Sequence, residues 1–374
     1  MLKYWFPIAT AFLAAIILFR ISRSYTPTTW SAGGTDPFHY LITEAFVIVH
    51  YFINFILPVN LSADTDWTPV TRIWDDRVLA GTAFILLLIF IMVKCWKHRA
   101  WRPVSFGIIW FFVALAPTSS IFPFAEVLND HRTYFPYIGL IISFTWAIGM
   151  LLNRLKERNV KFVKYAGGIA ILILLAHGMG AHERSTLWSS SNLLWGDCVK
   201  KSPQNGRAWM HYGMSLFDKG NNARLRGHGD SVNYWYDSAN VCYTIANKYT
   251  PYYSYLFINW GVLRQWQGRM TEAETFYRDA LSYDVDNPET YFFLGDFLRI
   301  QNQNEEAYSL ALKGLQLSPE HERLKGLFNS VSNVNPFAQI KYYLDLNKLK
   351  PEINNYINLS LQYYFAHDYE NCVK

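Results

Sequence analysis

The densest group of chemistry-capable side chains before residue 181 lies in PTSSIFPFAEVLNDHRTYFPYIG, residues 117–139. It carries Glu126, Asp130, His131, Arg132 and Tyr134. An arginine offers a planar fork of donors that matches a phosphate, and a neighbouring histidine can add to it. A carboxylate can take the proton of a hydroxyl. Beside a bilayer surface, these types together suit a lipid-linked phosphate and an acceptor hydroxyl. A solvated interfacial loop would carry the same residues, with its charges paired to one another. Composition leaves both readings open.

Other chemistry is thin. The histidines are scattered and no His/Cys/Asp cluster has ligand spacing, so no metal site is expected. With 4 Cys in 374 residues the chain is not a disulfide scaffold. Cys95 sits at the end of an apolar run, and Cys198 and Cys242 read as small hydrophobes facing repeat cores. GGT at 33–35 and GG at 167–168 lack the context of a phosphate-cradling loop. Asn60-Leu-Ser and Asn358-Leu-Ser match the glycosylation sequon, which matters only in a compartment that glycosylates. A net charge of +5, with no basic stretch interleaved with aromatics, argues against nucleic acid as a partner.

Two kinds of element must position the 117–139 segment. Aromatic residues make up 17% of the chain, which excludes disorder, and the 51% of hydrophobic residues is unevenly spread. The long apolar runs lie almost all before residue 181. A helix needs about 20 mostly apolar residues to cross a bilayer. Six segments are candidates: 4–21, 40–59, 78–93, 104–122, 134–152 and 162–180. The second carries Glu44, His50 and Asn54, each costly in lipid, so it either spans or lies partly buried at the interface. The first is not read as a signal peptide, because SRSYTP is a poor cleavage site.

Lys/Arg bias sets the expected orientation. Lys94, Lys97, Arg99 and Arg102 follow the third segment, and Arg154, Lys156, Arg158, Lys161 and Lys164 follow the fifth, so both loops should be cytoplasmic. The loop between them has Glu126, Asp130 and Arg132 and should face outward. Everything after residue 182 then lies outside, in periplasm, ER lumen or cell exterior. If all six segments cross, Met1 is also outside, so either 40–59 does not cross or Met1 is not the natural start.

The remainder carries an internal repeat. Gly261 and Gly295 stand one tetratricopeptide (TPR) period of about 34 residues apart. Each follows a large residue, Trp260 or Leu294. Ala273, Tyr277 and Ala280 follow the first glycine, and Ala307, Ala311, Gly314 and Pro319 follow the second at matching places. Upstream, Trp209, Tyr212, Gly213, Ala239, Tyr243, Ala246 and Pro251 form another unit, lengthened within NNARLRGHGDSVNYWYD. Trp195, Cys198 and Pro203 resemble the second helix of a leading unit. Tyr356, Leu359, Ser360 and Tyr363 restart the register after a degenerate stretch. Units are expected near 190–204, 205–252, 253–286, 287–319, 320–351 and 352–374. Small residues should let paired helices approach, with Gly261 against Ala273 and Gly295 against Ala307. The chain stops at NCVK without the polar capping helix a solenoid needs, so its C-terminus is expected to be cut or frayed.

GIIWFFVALAPTSSIFPFAEVLNDHRTYFPYIGL resembles the late membrane region of multi-spanning GT-C class glycosyltransferases with C-terminal TPRs. These are the transmembrane and TPR-containing protein O-mannosyltransferases and their bacterial relatives. The matching positions are Pro117, Thr118, Ser119, Ser120, Asp130, His131, Arg132, Tyr134, Pro136 and Gly139. Arg184, Trp188, Leu194, Pro203 and Asn205 resemble the family's linker into its first TPR. DPFHYLITEAFVIVHYFINFILPVNLSAD, residues 36–64, is similar to the segment before those spans. The resemblance implies an all-α fold, a polytopic membrane helix bundle over 1–182 followed by a TPR helical-hairpin solenoid over 183–374. It implies a polyprenyl-phosphate-linked sugar donor rather than a bound cofactor, with Arg132 and His131 near its phosphate, and a protein or peptide acceptor on the TPR concave face. Glu126, Asp130, His131, Arg132 and Tyr134 are the expected substrate-binding residues. The family's catalytic acidic residues lie in its first outward loop. Asp64, Asp66, Asp75 and Asp76 fall in a region matching its later spans, so only the C-terminal portion is matched and no catalytic residue is assigned. The alternative is a non-catalytic membrane-anchored TPR scaffold for envelope or secretory partners. An acidic-loop partner encoded upstream of Met1 would favour the enzyme.

Overall fold

Apolar runs without interior breakers become helices, and no strand occurs among the described residues of the computed structural model, which are 37–119, 126–156, 160–331, 336–349 and 351–372. The chain forms two compact units, one up to Ala208 and one from Trp209.

The first unit contains α1 (Pro37–Ile56), α2 (Asp76–Lys97), α3 (Arg102–Leu115), α4 (Tyr134–Lys156), α5 (Val160–Leu187) and α6 (Ser191–Lys201). The start of α2 is capped by Asp75, whose carboxylate accepts the Arg77 N–H at 2.9 Å, and its last turn carries Lys94 and Lys97. Acid at the N-terminus and base at the C-terminus both suit the helix dipole. Four helices are long and apolar enough to cross a membrane: Pro37–Ile56, Asp76–Lys97, Asp130–Lys156 and Val163–Leu187. The expected segment 4–21 lies outside the described residues. Segment 104–122 differs from expectation. Its helix, α3, has 14 residues and ends at Leu115, a length of about 21 Å against a hydrocarbon core of about 30 Å. Pro117, which has no N–H to continue the ladder, follows that end closely. In α5, Ile169, Ile171, Leu172, Leu174 and Leu175 are all exposed, so the helix presents apolar side chains on every side.

Two glycines allow α3 and α4 to touch backbone to backbone. A Cβ on Gly107 would run into the Gly139 carbonyl oxygen, and a Cβ on Gly139 into that of Gly107. One turn along, Ser143 Oγ donates to the Val104 carbonyl at 2.9 Å. Small residues plus an interhelical hydrogen bond are what holds helices together where lipid removes the hydrophobic drive.

The second unit is a row of helical hairpins. They are α7 (Gly206–Leu225) with α8 (Gly229–Tyr249), α9 (Ser254–Trp266) with α10 (Met270–Tyr283), and α11 (Pro288–Ile300) with α12 (Asn304–Leu317). Next come α13 (Glu322–Ser330) with α14 (Pro336–Leu349), and α15 (Ile353–Phe365) with α16 (Tyr369–Cys372). Their cores are the expected repeat positions: Ala239, Tyr243, Ala246, Ala273, Tyr277, Ala280, Ala307 and Ala311 are all buried. Successive hairpin turns reuse one device. Gly268, Asn302 and His367 each take a positive φ just past a first helix, and the next N–H returns to that helix, as from Gln303 to the Leu298 carbonyl at 2.9 Å.

Gly261 and Gly295 lie inside first helices as expected, and the Ala307 carbonyl oxygen stands 3.6 Å from a Gly295 Cβ as anticipated, but the nearest atoms to each glycine belong to other side chains. A Cβ at Gly261 would meet the Tyr277 ring at 2.6 Å, and one at Gly213 the Tyr243 ring at 2.5 Å. The tyrosine one turn beyond the small position packs its ring against the glycine. The corresponding residue in the following unit is Ala311, and Leu327 of the next hairpin fills that space at 2.7 Å from a Gly295 Cβ. Replacing Gly261 with leucine is expected to cost about 1–3 kcal/mol by overpacking, read as a lower unfolding midpoint. Gly326→Leu should be near neutral, because a Cβ there meets nothing within 4 Å. Equal effects from the two would refute the contact.

The segment expected to lead the repeats behaves differently. Helix α6 belongs to the first unit, where Cys198 is fully buried against Ser62, Oγ to Sγ 3.6 Å, and does not face a repeat core. Its flanks explain this. Lys201 Nζ donates to the Leu61 carbonyl at 2.8 Å, and Arg184 pairs with Asp197 at 2.7 Å. Cys242, by contrast, is buried in the repeat core.

Candidate functional site

Three stretches of the first unit converge beside the start of α4: the loop between α1 and α2, the segment 126–133, and residues 201–208, which run from the end of α6 into the first residues of α7 and still belong to the first unit. Arg132 closes a short loop onto Glu126. Its Nη2 donates to Glu126 Oε2 at 2.6 Å and its Nη1 to the Glu126 carbonyl at 3.1 Å. The other carboxylate oxygen of Glu126 pairs with Arg207 Nη2 at 2.8 Å. Arg207 also holds Asp64, through Nη2 at 2.6 Å and Nε at 2.8 Å. The result is a run of alternating charge, Asp64–Arg207–Glu126–Arg132, with no net sign. The Asp64 side chain is only 3% exposed. Burial pushes its carboxyl above the usual carboxylate value, and Arg207 pulls against that rise.

The loop carrying Asp64 is tied down from several sides. Thr65 Oγ1 donates to the Leu128 carbonyl at 3.2 Å, and Asn205 Nδ2 donates to the Thr65 carbonyl at 2.8 Å. Ser62 N–H donates to Asp130 Oδ2 at 2.8 Å, while Asn54 Nδ2 of α1 donates to Asp130 Oδ1 at 2.9 Å. His50 Nε2 stands 3.5 Å from the same oxygen. Asp130 is therefore a clamp, holding α1, the loop and the start of α4 together. Tyr51 serves the same joint. Its hydroxyl accepts the Asn129 N–H at 3.1 Å, and its carbonyl accepts the Tyr137 hydroxyl at 2.7 Å.

The five residues expected at the site do not all meet. Glu126 and Arg132 form the pair just described, and Asp130 lies one layer deeper. His131 turns its ring edge-on to Trp188, with centroids 5.9 Å apart. Tyr134 is 83% exposed and stands apart from the network. Gly139 of the same motif is a helix-contact position. Among the described residues no group of three His, Cys, Asp or Glu is placed to hold a metal ion.

Three participants were not legible as such in the sequence. Asp64 and Arg207 are 143 residues apart and carry no local signal. Glu44 of α1 appeared only as an expensive residue in an apolar run. It is 2% exposed, beside the hydroxyls of Tyr40 and Ser119. The Tyr40 hydroxyl donates to the Thr118 carbonyl at 2.8 Å. A carboxyl buried this deeply in an apolar helix is costly, and such groups concentrate at functional sites.

This arrangement can do one thing chemically as it stands. It presents an arginine fork, 11% exposed and shielded by a carboxylate that has a second arginine of its own. An incoming anion could take Arg132 while Arg207 keeps Glu126 compensated.

Comparison with known proteins follows the same two halves. The chain is similar to a protein O-mannosyl-transferase. It is 22% identical over 353 residues to protein O-mannosyl-transferase TMTC3 of Homo sapiens, covering 76% of this chain and 38% of that protein. It is 23% identical over 314 residues to protein O-mannosyl-transferase TMTC3 of Mus musculus, covering 71% of this chain and 34% of that one. The chain thus spans little more than a third of the length of these relatives. No family model matches it. Among solved structures, it is similar to TTC0263, a thermophilic TPR protein in Thermus thermophilus, at 18% identity and TM-score 0.34, over 52% of this chain and 93% of that one. It is also similar to YrrB, a TPR protein with an unusual peptide-binding site, at 14% identity and TM-score 0.34, over 48% of this chain and 87% of that one.

Proposed function

We propose that this chain is the donor-phosphate and acceptor-presenting part of a membrane glycosyltransferase that uses a polyprenyl-phosphate-linked sugar. The observation that supports this most is the similarity to an O-mannosyl-transferase over 76% of the chain, a share too large for either half alone. On this reading Arg132 receives the donor phosphate at the end of a membrane helix. Glu126 and Asp130 hold the segment, His131 flanks it, and the hairpin repeats bind a protein or peptide acceptor. The apolar helices contact the tails of the surrounding lipid and of the donor. The test is binding of a polyprenyl-phosphate mannose to the chain in nanodiscs. Saturable binding that free polyprenol does not displace supports the reading, and its absence overturns it.

A second reading is a membrane-anchored repeat scaffold without sugar chemistry. The full pairing of Arg132 with Glu126 favours it, since a charge-neutral network also serves to fix a loop. The donor-binding measurement separates the two.

Orientation belongs to the same proposal. The loops at 94–103 and 153–164 face the cytoplasm and residues 183–374 the opposite side, by their Lys/Arg content. With the 4 native cysteines replaced, a cysteine placed at Ser190 should react with an impermeant maleimide from outside, and one at Asn159 should not. The reverse labelling would sink the assignment.

A further inference from the structure

The first hairpin of the second unit is longer than its neighbours. Its helices α7 and α8 have 20 and 21 residues, against 13 and 14 in α9 and α10. The extra length is about two helical turns on each arm, so this hairpin overhangs the tip of the next one. Aromatic packing stiffens the overhang. The Tyr236 ring stacks on Phe217 with centroids 5.5 Å apart, and its hydroxyl donates to Asn221 Oδ1 at 2.7 Å. Where the overhang passes the Gln267–Arg269 turn it leaves a cleft of about 350 Å³, lined by Arg224, Asn233, Tyr236, Trp266 and Arg269 among others. That size falls in the range of small-ligand sites, ~300–1,000 Å³.

The cleft is cationic. The Arg224 guanidinium lies over the Trp266 ring, Cζ 4.9 Å from its centroid. Among the described residues no carboxylate comes within ion-pair distance of it. Arg269 pairs with Glu272 at 2.7 Å, but Glu272 also serves Arg264 at 3.1 Å. Among the described residues, then, Arg269 shares its carboxylate with Arg264, and Arg224 has the Trp266 ring and no ion-pair partner. A guanidinium held over an aromatic ring by its charge still has N–H donors for a carboxylate. The ring contact also restrains the arginine before any ligand arrives, which lowers the ordering cost of binding.

We propose that this cleft binds an acidic peptide segment, with a side-chain carboxylate on Arg224 and the adjoining residue against the exposed part of Trp266. Positive charge selects the acidic group, and the exposed Trp266 ring gives a peptide a contact that a bare inorganic anion cannot use. The site lies at the tip of the hairpins, apart from the concave-face acceptor binding proposed above, and it does not depend on the glycosyltransferase reading.

The test uses the full chain in nanodiscs and fluorescein-labelled (Glu-Tyr)4 and (Gln-Tyr)4 peptides, read by anisotropy. The glutamate peptide should bind about tenfold or more tightly than the glutamine peptide, as expected for charge-assisted hydrogen bonds. Arg224→Gln should lose a similar factor with the circular dichroism and melting profile unchanged, and Arg224→Lys should lose less. Asn233→Glu, which places a like charge at the exposed rim, should abolish binding. Equal affinity for the two peptides, or unchanged binding by Arg224→Gln and Asn233→Glu, would overturn the proposal. Full displacement by equimolar inorganic phosphate would overturn it too, by showing an anion site without peptide recognition.

Discussion

Arg132→Ala is expected to weaken binding of a polyprenyl-phosphate mannose by about ten- to a hundredfold, the usual worth of charge-assisted hydrogen bonds, while membrane insertion and repeat folding persist. Folding should persist because Glu126 keeps its second partner, Arg207, at 2.8 Å. Removing Arg132 therefore leaves no orphaned carboxylate there. Arg132→Lys should recover only part of the affinity, since an ammonium supplies charge but no fork. Glu126→Gln gives the sharper discrimination. If Arg132 exists to receive phosphate, removing the carboxylate that competes for it should tighten donor binding. If the pair exists only to fix the loop, Glu126→Gln should resemble Arg132→Ala in its effect on stability, and neither should change donor affinity. Isothermal titration of the three variants in nanodiscs reads both outcomes. Unchanged affinity in Arg132→Ala would end the phosphate assignment.

The second large effect is structural and does not involve any ligand. Gly139→Leu is expected to destabilise the first unit by about 3 kcal/mol, the upper part of the usual overpacking range. Its Cβ would meet not a yielding side chain but the Gly107 carbonyl, with Phe111 N and Trp110 Cδ1 each at 2.9 Å. Backbone on that side cannot move without parting α3 from α4. Gly149→Leu on the same helix is the control, because nothing lies within 4 Å of a Cβ there. Detergent thermostability, read as the temperature at which half the monodisperse protein is lost, should fall for Gly139→Leu and hold for Gly149→Leu. Since Gly139 sits in the same motif as Arg132, the two experiments separate what the motif does for packing from what it does for binding.

The repeat hairpins were legible in the sequence because their determinants are local. Gly261, Tyr277 and Ala280 sit within one hairpin, and their spacing encodes which faces meet. The long apolar helices were legible for a related reason, since a bilayer-length run needs no tertiary partner to declare itself. The ends were less so. Reading 104–122 as one span missed that α3 stops at Leu115, just before Pro117. The small-position rule named the right glycines and the approach of Ala307 to Gly295, but not the nearest side chains, because spacing says which residues are small and not which side chain lies over the gap. Tyr277 does so at Gly261, whereas Leu327 arrives from another hairpin at Gly295.

The sequence by itself determined the helical class, the repeat register, the apolar segments, four of whose six fall on helices long enough to cross a membrane, and the Glu126–Arg132 neighbourhood, all of them set by residues within a turn or a hairpin of one another. Only the tertiary structure decided what that neighbourhood is. It brought Arg207 to Asp64 and Glu126, 143 residues from the first, and turned Asp130 inward to Asn54 and Ser62. It also left Tyr134 exposed and sealed Glu44 beside Tyr40. The physical reason is that charge pairing acts through space over a few ångströms and is indifferent to separation along the chain. A lone Asp64 or Arg207 in the sequence therefore carries no mark of the partner that folding supplies.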